Sequence, residues 1–278
     1  MNLIIGSKGR FATAIKGEMP LGGAISLPFL DLWSHHLISE GSILSNDYRY
    51  CFWASGPGTS ESRMQNLEKE GLEMLFAQSK RTRIQVDHFV YLSSGGKMYG
   101  VNPGVVNESS AIEPVSKYGK MKRECEIYLI ENYTKIAKSL TILRIANSFS
   151  FKGFTEKPQG IIETFVNAII QDTPINILGD LQNQRQYSTH EAYANIVVNH
   201  VLPKIDESSS YQIFNLAPNV SLTIEEIIES IEEVFEKKFT IRQTDSLIDS
   251  VILTSKFLDF TEFPWKPLTS ILRDFKSV

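Results

Sequence analysis

Residues 3–12 read Leu3-Ile4-Ile5-Gly6-Ser7-Lys8-Gly9-Arg10-Phe11-Ala12. An apolar run ends at a glycine, and a second glycine follows three positions later. This pattern predicts a buried parallel strand, a glycine turn and then a helix. Gly6 and Gly9 permit the tight turn and a close approach of the backbone to a phosphate, and the small Ala12 lets the helix pack on the sheet.

The same alternation of strand and helix continues through the first half of the chain. Further strands are predicted at residues 24–27, 48–54, 88–92 and 140–144, and helices at residues 59–79 and 116–132. Strands that alternate with helices over about 150 residues indicate a parallel, doubly wound sheet. We therefore expect an α/β protein in which residues 1–150 form a Rossmann-like dinucleotide-binding domain.

The character of the sequence changes after Asn147. Residues 149–160 are rich in aromatic, charged, glycine and proline residues, which is typical of a loop that covers a site. Helices are predicted near residues 161–171, 190–201 and 223–235, and a short strand at residues 175–178. We expect residues 151–278 to form mainly a smaller C-terminal α/β lobe that binds substrate, with a segment near 178–205 that returns to the first domain.

Composition excludes several classes of partner. The chain has 278 residues and a formal net charge of −4, so it has no broad basic surface for nucleic acid. No apolar run approaches the roughly 18 residues of a membrane span. The apolar run at the N-terminus is too short for a signal peptide. These features predict a cytoplasmic protein with neither a nucleic-acid nor a membrane partner.

Cysteine and histidine are sparse. Cys51 and Cys125 are the two cysteines, and both lie in patterns of buried residues, which predicts small buried thiols rather than a disulfide framework. His35 and His36 are adjacent and have no third ligand nearby, so no metal site is predicted. His190 is near the start of a predicted helix, and we expect it to cap that helix or to lie on the surface.

The glycine loop is a candidate site for a dinucleotide. A helix N-terminus offers free amide groups and the positive end of its dipole to a pyrophosphate. We therefore expect cofactor contacts from the loop and the first turn of the helix, which comprise Gly6, Ser7, Lys8, Gly9, Arg10 and Phe11.

The choice between NAD and NADP stays open. NAD-binding folds often place an acid at the end of the second strand, where it binds the ribose diol. No acid follows Leu27 directly, and the nearest is Asp31. Lys8 and Arg10 could instead meet the 2'-phosphate of NADP, or they could be solvated surface charges.

A tyrosine and a lysine stand four residues apart at the start of the helix predicted at 116–132. Ser116, two residues after Pro114, is a good N-cap for this helix. The spacing places Tyr118 and Lys122 on one face. A fixed ammonium lowers the pKa of a nearby phenol and makes it a usable acid or base. A pair of exposed surface side chains would show the same spacing, so the catalytic interpretation depends on a cofactor site nearby.

These pieces, in this order, resemble the extended short-chain dehydrogenase/reductase family, in particular its epimerases, dehydratases and reductases of nucleotide sugars. The resemblance covers nearly the whole chain. Its motifs are Gly6-x-x-Gly9-x-x-Ala12, Ala54-Ser55-Gly56, Tyr91-Leu92-Ser93-Ser94-Gly95-Gly96-Lys97-Met98-Tyr99-Gly100, Tyr118-x-x-x-Lys122, Leu143-Arg144-Ile145-Ala146-Asn147 and Arg185-Gln186-Tyr187.

The resemblance implies a role for each motif. Tyr118 would be the acid/base at the sugar, and Lys122 would hold the nicotinamide ribose and lower the pKa of Tyr118. Residues 54–56, which are Ala54, Ser55 and Gly56, would line the cofactor, and Asp31 would touch its adenine. Asn147 and Arg185 would meet the diphosphate of a nucleoside-diphosphate sugar, although a loop cap and a surface ion pair are the ordinary alternatives for these two.

One position departs from the family pattern. The family places a serine or threonine after the core strand, where its hydroxyl binds the reacting oxygen, and the corresponding residue here is Gly95. Ser94 could supply the hydroxyl instead, or the backbone amides of Gly95 and Gly96 could form an oxyanion-type site. Ser94 could also simply terminate the strand.

The resemblance implies an enzyme with one of three candidate reactions: reduction, epimerisation or dehydration. A reductase of a 4-keto-6-deoxy sugar nucleotide fits the chain length, and an epimerase would use the same residues. Dehydration is disfavoured because Gly96 and Lys97 stand where a dehydratase usually has an acidic pair. A non-catalytic dinucleotide-sensing regulator is the alternative from another class, and Gly95 is the feature in its favour. Family members often form homodimers through the tyrosine helix, so a homodimer is expected.

Overall fold

The computed structural model describes residues 1–6, 9–20, 23–27, 47–54, 67–82, 85–152, 158–205, 209–244 and 249–277. Some of the predictions above lie outside these residues. They concern Ser7, Lys8, Asp31, the pair His35-His36, Ser55, Gly56 and the first part of the helix predicted at 59–79, of which only the part from Leu67 is described.

The strands follow the predicted alternation with helices. In chain order they are β1 (Asn2–Ile5), β2 (Ala24–Leu27), β3 (Asp47–Trp53), β4 (Gln85–Ser94), β5 (Gly104–Val106), β6 (Ala137–Ile145), β7 (Asn147–Phe149), β8 (Ile175–Leu178), β9 (Gln184–Arg185), β10 (Tyr187–Thr189), β11 (Tyr211–Leu216), β12 (Leu222–Thr223), β13 (Ile241–Thr244) and β14 (Val251–Leu253). The α-helices are α1 (Arg10–Glu18), α2 (Leu67–Thr82), α3 (Lys117–Asn132), α4 (Gly160–Ile170), α5 (His190–Ile196), α6 (Ile224–Phe235) and α7 (Leu268–Lys276). Within the described ranges, no helix has both the length and the apolar character needed to cross a membrane.

Six parallel strands of the described part form the main sheet, in the order β11-β6-β4-β3-β1-β2. Ile5 at the end of β1 pairs with Leu27 on one side and with Trp53 on the other. The chain passes from β1 to β2 on one side of β1 and then to β3 on its other side. The crevice between β1 and β3 is therefore the topological switch point, where such folds bind ligands. The predicted doubly wound, Rossmann-like fold is confirmed.

Helices cover both faces of this sheet, which explains why β1 is apolar at successive positions. Leu3, Ile4 and Ile5 are all fully buried. On one face α1 and α5 pack through Ile15 and Tyr193, which belong to one core cluster. On the other face α2 and α3 complete a second cluster that contains both cysteines. Cys51 and Cys125 are buried free thiols, as predicted.

A third core holds the C-terminal lobe together. It is formed by α4, α6 and α7 with β8, which pairs in parallel with β13. Thr223 caps α6: its hydroxyl accepts a hydrogen bond from the Glu226 amide, and the Glu226 carboxylate accepts one from the Thr223 amide. This reciprocal arrangement satisfies two amides at the helix start and fixes where α6 begins.

Two later elements contact the first part of the chain. Helix α5 contacts α1, and β11 is the edge strand of the main sheet, paired with β6. These contacts involve residues of the predicted segment 178–205 and continue to Leu216. The helix predicted at 190–201 is α-helical only to Ile196 and continues as a π-helical turn from Val197 to Val201. Further along, β14 pairs with β5 and brings the segment around Leu253 to the end of β4.

Candidate active site

Gly6 and Gly9, the two glycines of the predicted loop, lie at the switch point between β1 and β3. Gly6 has φ 107°, a conformation that favours glycine, and its carbonyl accepts a hydrogen bond of 2.7 Å from the Gly9 amide. A Cβ on Gly9 would lie 3.1 Å from the Gly6 carbonyl oxygen and 3.5 Å from that of Ala54. Gly9 thus packs close to the ends of both strands, and Ala54 is held there by a 3.0 Å hydrogen bond from its amide to the Ile5 carbonyl.

The first turn of α1 follows this loop. Gly9 is its N-cap and provides no side-chain cap, so the turn presents backbone amides of the kind that bind a pyrophosphate. Phe11 packs inward against the rings of His190 and Tyr193, at centroid distances of 5.3 and 6.3 Å. The aromatic contacts orient the helix so that its N-terminus faces the switch point.

Arg10 reaches away from the loop toward the C-terminal lobe. Its guanidinium donates to Glu163 at 2.8 Å, to Gln159 at 2.8 Å and to the Ser150 carbonyl at 3.1 Å. Glu163 is buried, and a buried carboxylate needs such a cation. The structure therefore places Arg10 in a bridge between the lobes rather than in an open position beside the loop.

His190 differs from its sequence prediction. Thr189 caps α5, with its hydroxyl accepting from the Ala192 amide, and His190 itself is buried rather than exposed. Burial, together with the positive charge of Arg10, lowers the pKa of His190 to about 4. The prediction of a cap or surface residue was wrong because the first residue of α5 faces α1.

Helix α3 presents Tyr118 and Lys122 to the end of β4. Ser116 caps it as predicted, with its hydroxyl accepting a 3.0 Å hydrogen bond from the Gly119 amide. The Lys122 ammonium lies 5.8 Å from the centroid of the Tyr118 ring. Tyr118 is half-buried and Lys122 is buried. The two side chains therefore share one face of the helix, as the spacing predicts.

Lys122 is held by a residue that the sequence analysis did not identify. Its ammonium donates to the Glu68 carboxylate at 2.7 Å and to the Leu92 carbonyl at 3.1 Å. Glu68 is fully buried and also accepts from the Tyr91 hydroxyl at 3.0 Å. The sequence feature that could have identified Glu68 is its position on the apolar face of α2, at helical spacing from the buried Leu72 and Leu75.

Burial raises the pKa of Tyr118, although Lys122 lowers it as predicted. Burial is the largest cause and opposes the phenolate. The positive charge of Lys122 lowers the pKa, but the negative charge of Glu68 raises it again. The Ser94 side chain lowers it. The raised pKa keeps the Tyr118 phenol protonated near pH 7.

Ser94 carries a hydroxyl near Tyr118, whereas Gly95 has none. The Ser94 side chain lowers the pKa of Tyr118, and the Gly95 amide donates to the Ile145 carbonyl at 2.7 Å. A Cβ on Gly95 would lie 2.2 Å from Cδ1 of Leu253 and 3.0 Å from the Arg144 carbonyl oxygen. The position has no room for a side chain, because β14 lays Leu253 over it.

We expect Gly95→Ser to lower the free energy of unfolding by about 1–3 kcal/mol, the usual cost of overpacking. The new side chain would meet a backbone oxygen as well as Leu253, so the strand end must shift. The same substitution at Gly96 is the control, because a Cβ there meets only Asn147 Oδ1, at 3.7 Å. Denaturant midpoints of the two variants test this, and equal midpoints would contradict it.

Asn147 and Arg185, the residues expected at a sugar diphosphate, lie on adjacent elements. Asn147 Nδ2 donates to the Gln186 carbonyl at 3.1 Å. Arg185 pairs with Asp249 at 2.8 Å and donates to the Gln184 carbonyl at 3.0 Å. Both residues of the ion pair keep some exposure, so the guanidinium remains accessible beside a carboxylate.

Gln186 is a second residue that sequence reasoning missed. It is buried, and its amide group exchanges two hydrogen bonds with the backbone of Leu253 and donates a third to the Pro218 carbonyl. These bonds anchor β14 beside the end of β4. Gln186 thus explains why Leu253 can cover Gly95.

A buried polar network stiffens the same end of the sheet. Glu126 accepts two hydrogen bonds from Arg144, at 3.0 and 2.8 Å, and one from Ser93 at 2.6 Å. Arg144 also donates to the Tyr99 hydroxyl at 3.1 Å, and Tyr99 donates to Asn215 at 2.6 Å. The network links α3, β6 and β11 to the loop after β4. Among the described residues, no cluster of side chains has the composition of a metal site.

Two sequence comparisons find relatives of this chain. The family model described as "NAD dependent epimerase/dehydratase family" matches residues 58–217, which is more than half of the chain. The dTDP-4-dehydro-6-deoxyglucose reductase of Escherichia coli is 28% identical over 216 residues. That match covers 75% of this chain and 66% of the relative, so the chain spans slightly less than two thirds of the relative's length.

Solved structures show the same fold. The UDP-glucose 4-epimerase of Thermus thermophilus, in complex with NAD, is 16% identical and superposes with a TM-score of 0.78. The match covers 100% of this chain and 99% of the epimerase. The UDP-N-acetylglucosamine 4-epimerase of Methanobrevibacter ruminantium, in complex with UDP-N-acetylmuramic acid, is 22% identical and superposes with a TM-score of 0.76. The match covers 99% of this chain and 96% of that epimerase. At these identities the likeness establishes the shared fold.

Proposed function

Because the chain belongs to the NAD dependent epimerase/dehydratase family, we propose that it is an NAD(P)-dependent oxidoreductase acting on nucleoside-diphosphate sugars. Its most specific form is a reductase of a 4-keto-6-deoxy sugar nucleotide. The observation that carries the proposal is the cluster of Tyr118, Ser94 and Lys122 at the carboxyl end of β4. The name of the Escherichia coli relative supports the reductase.

The cofactor would lie between the glycine loop and the dyad formed by Tyr118 and Lys122. Gly9 leaves little room for a Cβ against the Gly6 carbonyl, so the backbone stays open to a pyrophosphate. Lys122 uses two of its three donors on Glu68 and Leu92, and the third suits a ribose hydroxyl. We propose further cofactor contacts from Ser7, Lys8, Asp31, Ala54, Ser55 and Gly56, and from the backbone amides of Arg10 and Phe11. NAD in the titles of solved relatives supports a nicotinamide dinucleotide.

The chemistry divides between cofactor and chain. A bound reduced nicotinamide supplies hydride to the carbonyl carbon of the sugar. Tyr118 donates its phenol proton to the carbonyl oxygen, and Ser94 orients that phenol through its hydroxyl. Lys122 holds the ribose and stabilises the phenolate that results. The proton donor must be protonated before the step, which agrees with the raised pKa of Tyr118.

The substrate diphosphate would be held at the other side of the cleft. An arginine fork suits a pyrophosphate. We propose that Arg185 exchanges its Asp249 carboxylate for the substrate diphosphate, and that Asn147 and the backbone at Gly95 border the sugar. In this arrangement residues 1–150 bind the dinucleotide and residues 151–278 mainly the substrate.

We also propose a cytoplasmic homodimer that pairs through α2 and α3, with neither nucleic acid nor membrane as a partner. The net charge of −4 argues against a nucleic-acid partner. Ile127, on α3, leaves 41% of its surface exposed, which supports a contact on that helix.

Cofactor consumption distinguishes the reactions. The protein is mixed with 4-keto-6-deoxy sugar nucleotides and NADH or NADPH, and the absorbance of the reduced nicotinamide is followed with product analysis. We expect loss of absorbance equal to the sugar reduced. Conversion of one nucleotide sugar into its epimer with no net cofactor change would identify the epimerase, the second candidate supported by the relatives. Dinucleotide binding without any turnover would identify the regulator.

A further inference from the structure

Glu68 forms a buried ion pair with Lys122, the partner of Tyr118. Their side chains are 0% and 5% exposed, and the Glu68 and Lys122 atoms in contact are 2.7 Å apart. Isolating both charges from water is costly, and apolar residues of similar size often serve a fold equally well. A charged pair at this position therefore calls for an explanation beyond packing.

Geometry ties Glu68 to the position of the Lys122 ammonium. Glu68 accepts on one carboxylate oxygen, Oε1, from both Lys122 and the Tyr91 hydroxyl, while its Oε2 has no partner in the described part of the chain. The ammonium also lies over the Tyr91 ring, 4.9 Å from its centroid. Glu68 and the Leu92 carbonyl thus take two of the three N–H donors of the ammonium, which leaves one donor for a ligand.

Charge at Tyr118 comes from a small set of groups on three elements. Lys122 and Cys125 lie on the same helix, Glu68 on α2 and Tyr91 on β4. Burial raises the pKa of Cys125 to about 12 and that of Tyr91 well above its usual value, so both stay neutral near pH 7. Of these facing groups, the opposed charges of Glu68 and Lys122 are the two that act on Tyr118.

We propose that Glu68 is a positioning residue that fixes the Lys122 ammonium beside Tyr118 and offsets its charge, so that the phenol stays protonated until it donates to a carbonyl. This inference rests on the proposed function. Without Glu68, the lysine would stabilise the phenolate unopposed and would be free to change position. The Tyr118 phenol would then lose its proton at a lower pH than in the wild-type protein, and it could no longer act as a proton donor above that pH.

Titration of Tyr118 tests this directly. Phenolate absorbance is recorded against pH for the full-length protein and for Glu68→Gln, each minus the same protein carrying Tyr118→Phe. Removing the carboxylate charge favours the phenolate, so we expect the titration of Tyr118 to move down by about one pH unit. The alkaline limb of kcat/KM for sugar reduction should move down with it. An unchanged or higher titration would overturn the proposal.

Matched variants separate this effect from damage to the fold. Glu70→Gln makes the same change on the exposed side of α2 and should leave the Tyr118 titration in place. Glu68→Asp retains the charge one methylene further from Lys122, and we expect a smaller shift in the same direction. Should Glu68→Gln fail to fold, this variant decides, and no shift in it would overturn the proposal.

The phenolate titration needs no sugar substrate, so the two proposals can fail separately. A downward shift in a protein that reduces no sugar nucleotide would leave the positioning role intact and refute the function. Sugar reduction with an unmoved alkaline limb would refute the positioning role alone.

Discussion

Tyr118→Phe is expected to lower kcat for sugar reduction by about 10²- to 10⁴-fold, the usual contribution of a positioned acid. The change removes the phenol hydroxyl and leaves the ring in contact with Lys122. Hydride transfer would then leave an alkoxide without its proton donor. Steady-state kinetics with saturating cofactor and sugar nucleotide measure the effect.

Tyr128→Phe is the control for this variant. Tyr128 lies on the same helix, and its ring packs against Phe76 at a centroid distance of 5.6 Å, away from the dyad. Loss of its hydroxyl should change kcat little. Cofactor binding by Tyr118→Phe, followed by fluorescence of the reduced nicotinamide, should persist. Wild-type turnover in this variant would refute the assignment of Tyr118.

The second large effect is on stability. Glu126→Ala is expected to lower the free energy of unfolding by about 3–5 kcal/mol, because removing one partner of a buried pair leaves an unpaired charge in the core. The side chains of Glu126 and Arg144 are 0% and 3% exposed. The loss also leaves the Ser93 hydroxyl without its acceptor. Urea denaturation of the purified protein measures the change.

Glu124→Ala removes an exposed carboxylate two residues earlier on the same helix. Glu124 pairs with Lys69 at 2.9 Å, and their side chains are 56% and 37% exposed. Surface pairs contribute about 0–1 kcal/mol, so this variant should unfold near the wild-type midpoint. Adding Arg144→Met to Glu126→Ala should recover part of the loss, because the buried Arg144 charge is then no longer left without its partner. A loss of similar size in Glu124→Ala would contradict the explanation.

Local spacing was enough to predict the parts of the site that lie on one element. Gly6 and Gly9 follow an apolar run, and the turn they form depends only on backbone freedom at those positions. Tyr118 and Lys122 share a face because a helix brings every fourth residue to the same side. Ser116 and Thr223 cap their helices through hydrogen bonds to residues three positions ahead. All of these contacts lie within one turn of chain.

The support behind the dyad could not be predicted in the same way. Glu68 contacts Lys122 across 54 positions of sequence, and Leu253 covers Gly95 from the far end of the chain. The apolar face of α2 shows that Glu68 points inward, but not which cation it meets. Arg10 carried a charge suited to a cofactor phosphate, yet the fold gives it the buried Glu163 as its partner.

Hydrophobic periodicity and the conformations open to glycine were sufficient to predict the strand, glycine turn and helix at the start of the chain and the doubly wound sheet. The spacing of Tyr118 and Lys122 was sufficient to predict that they share one face of a helix. Packing between distant elements was needed to establish that Leu253 fills the space above Gly95, and that Glu68 raises the pKa of Tyr118 whereas Lys122 lowers it. A pKa depends on burial and on every charge nearby in space. Those charges come together only when the chain has folded.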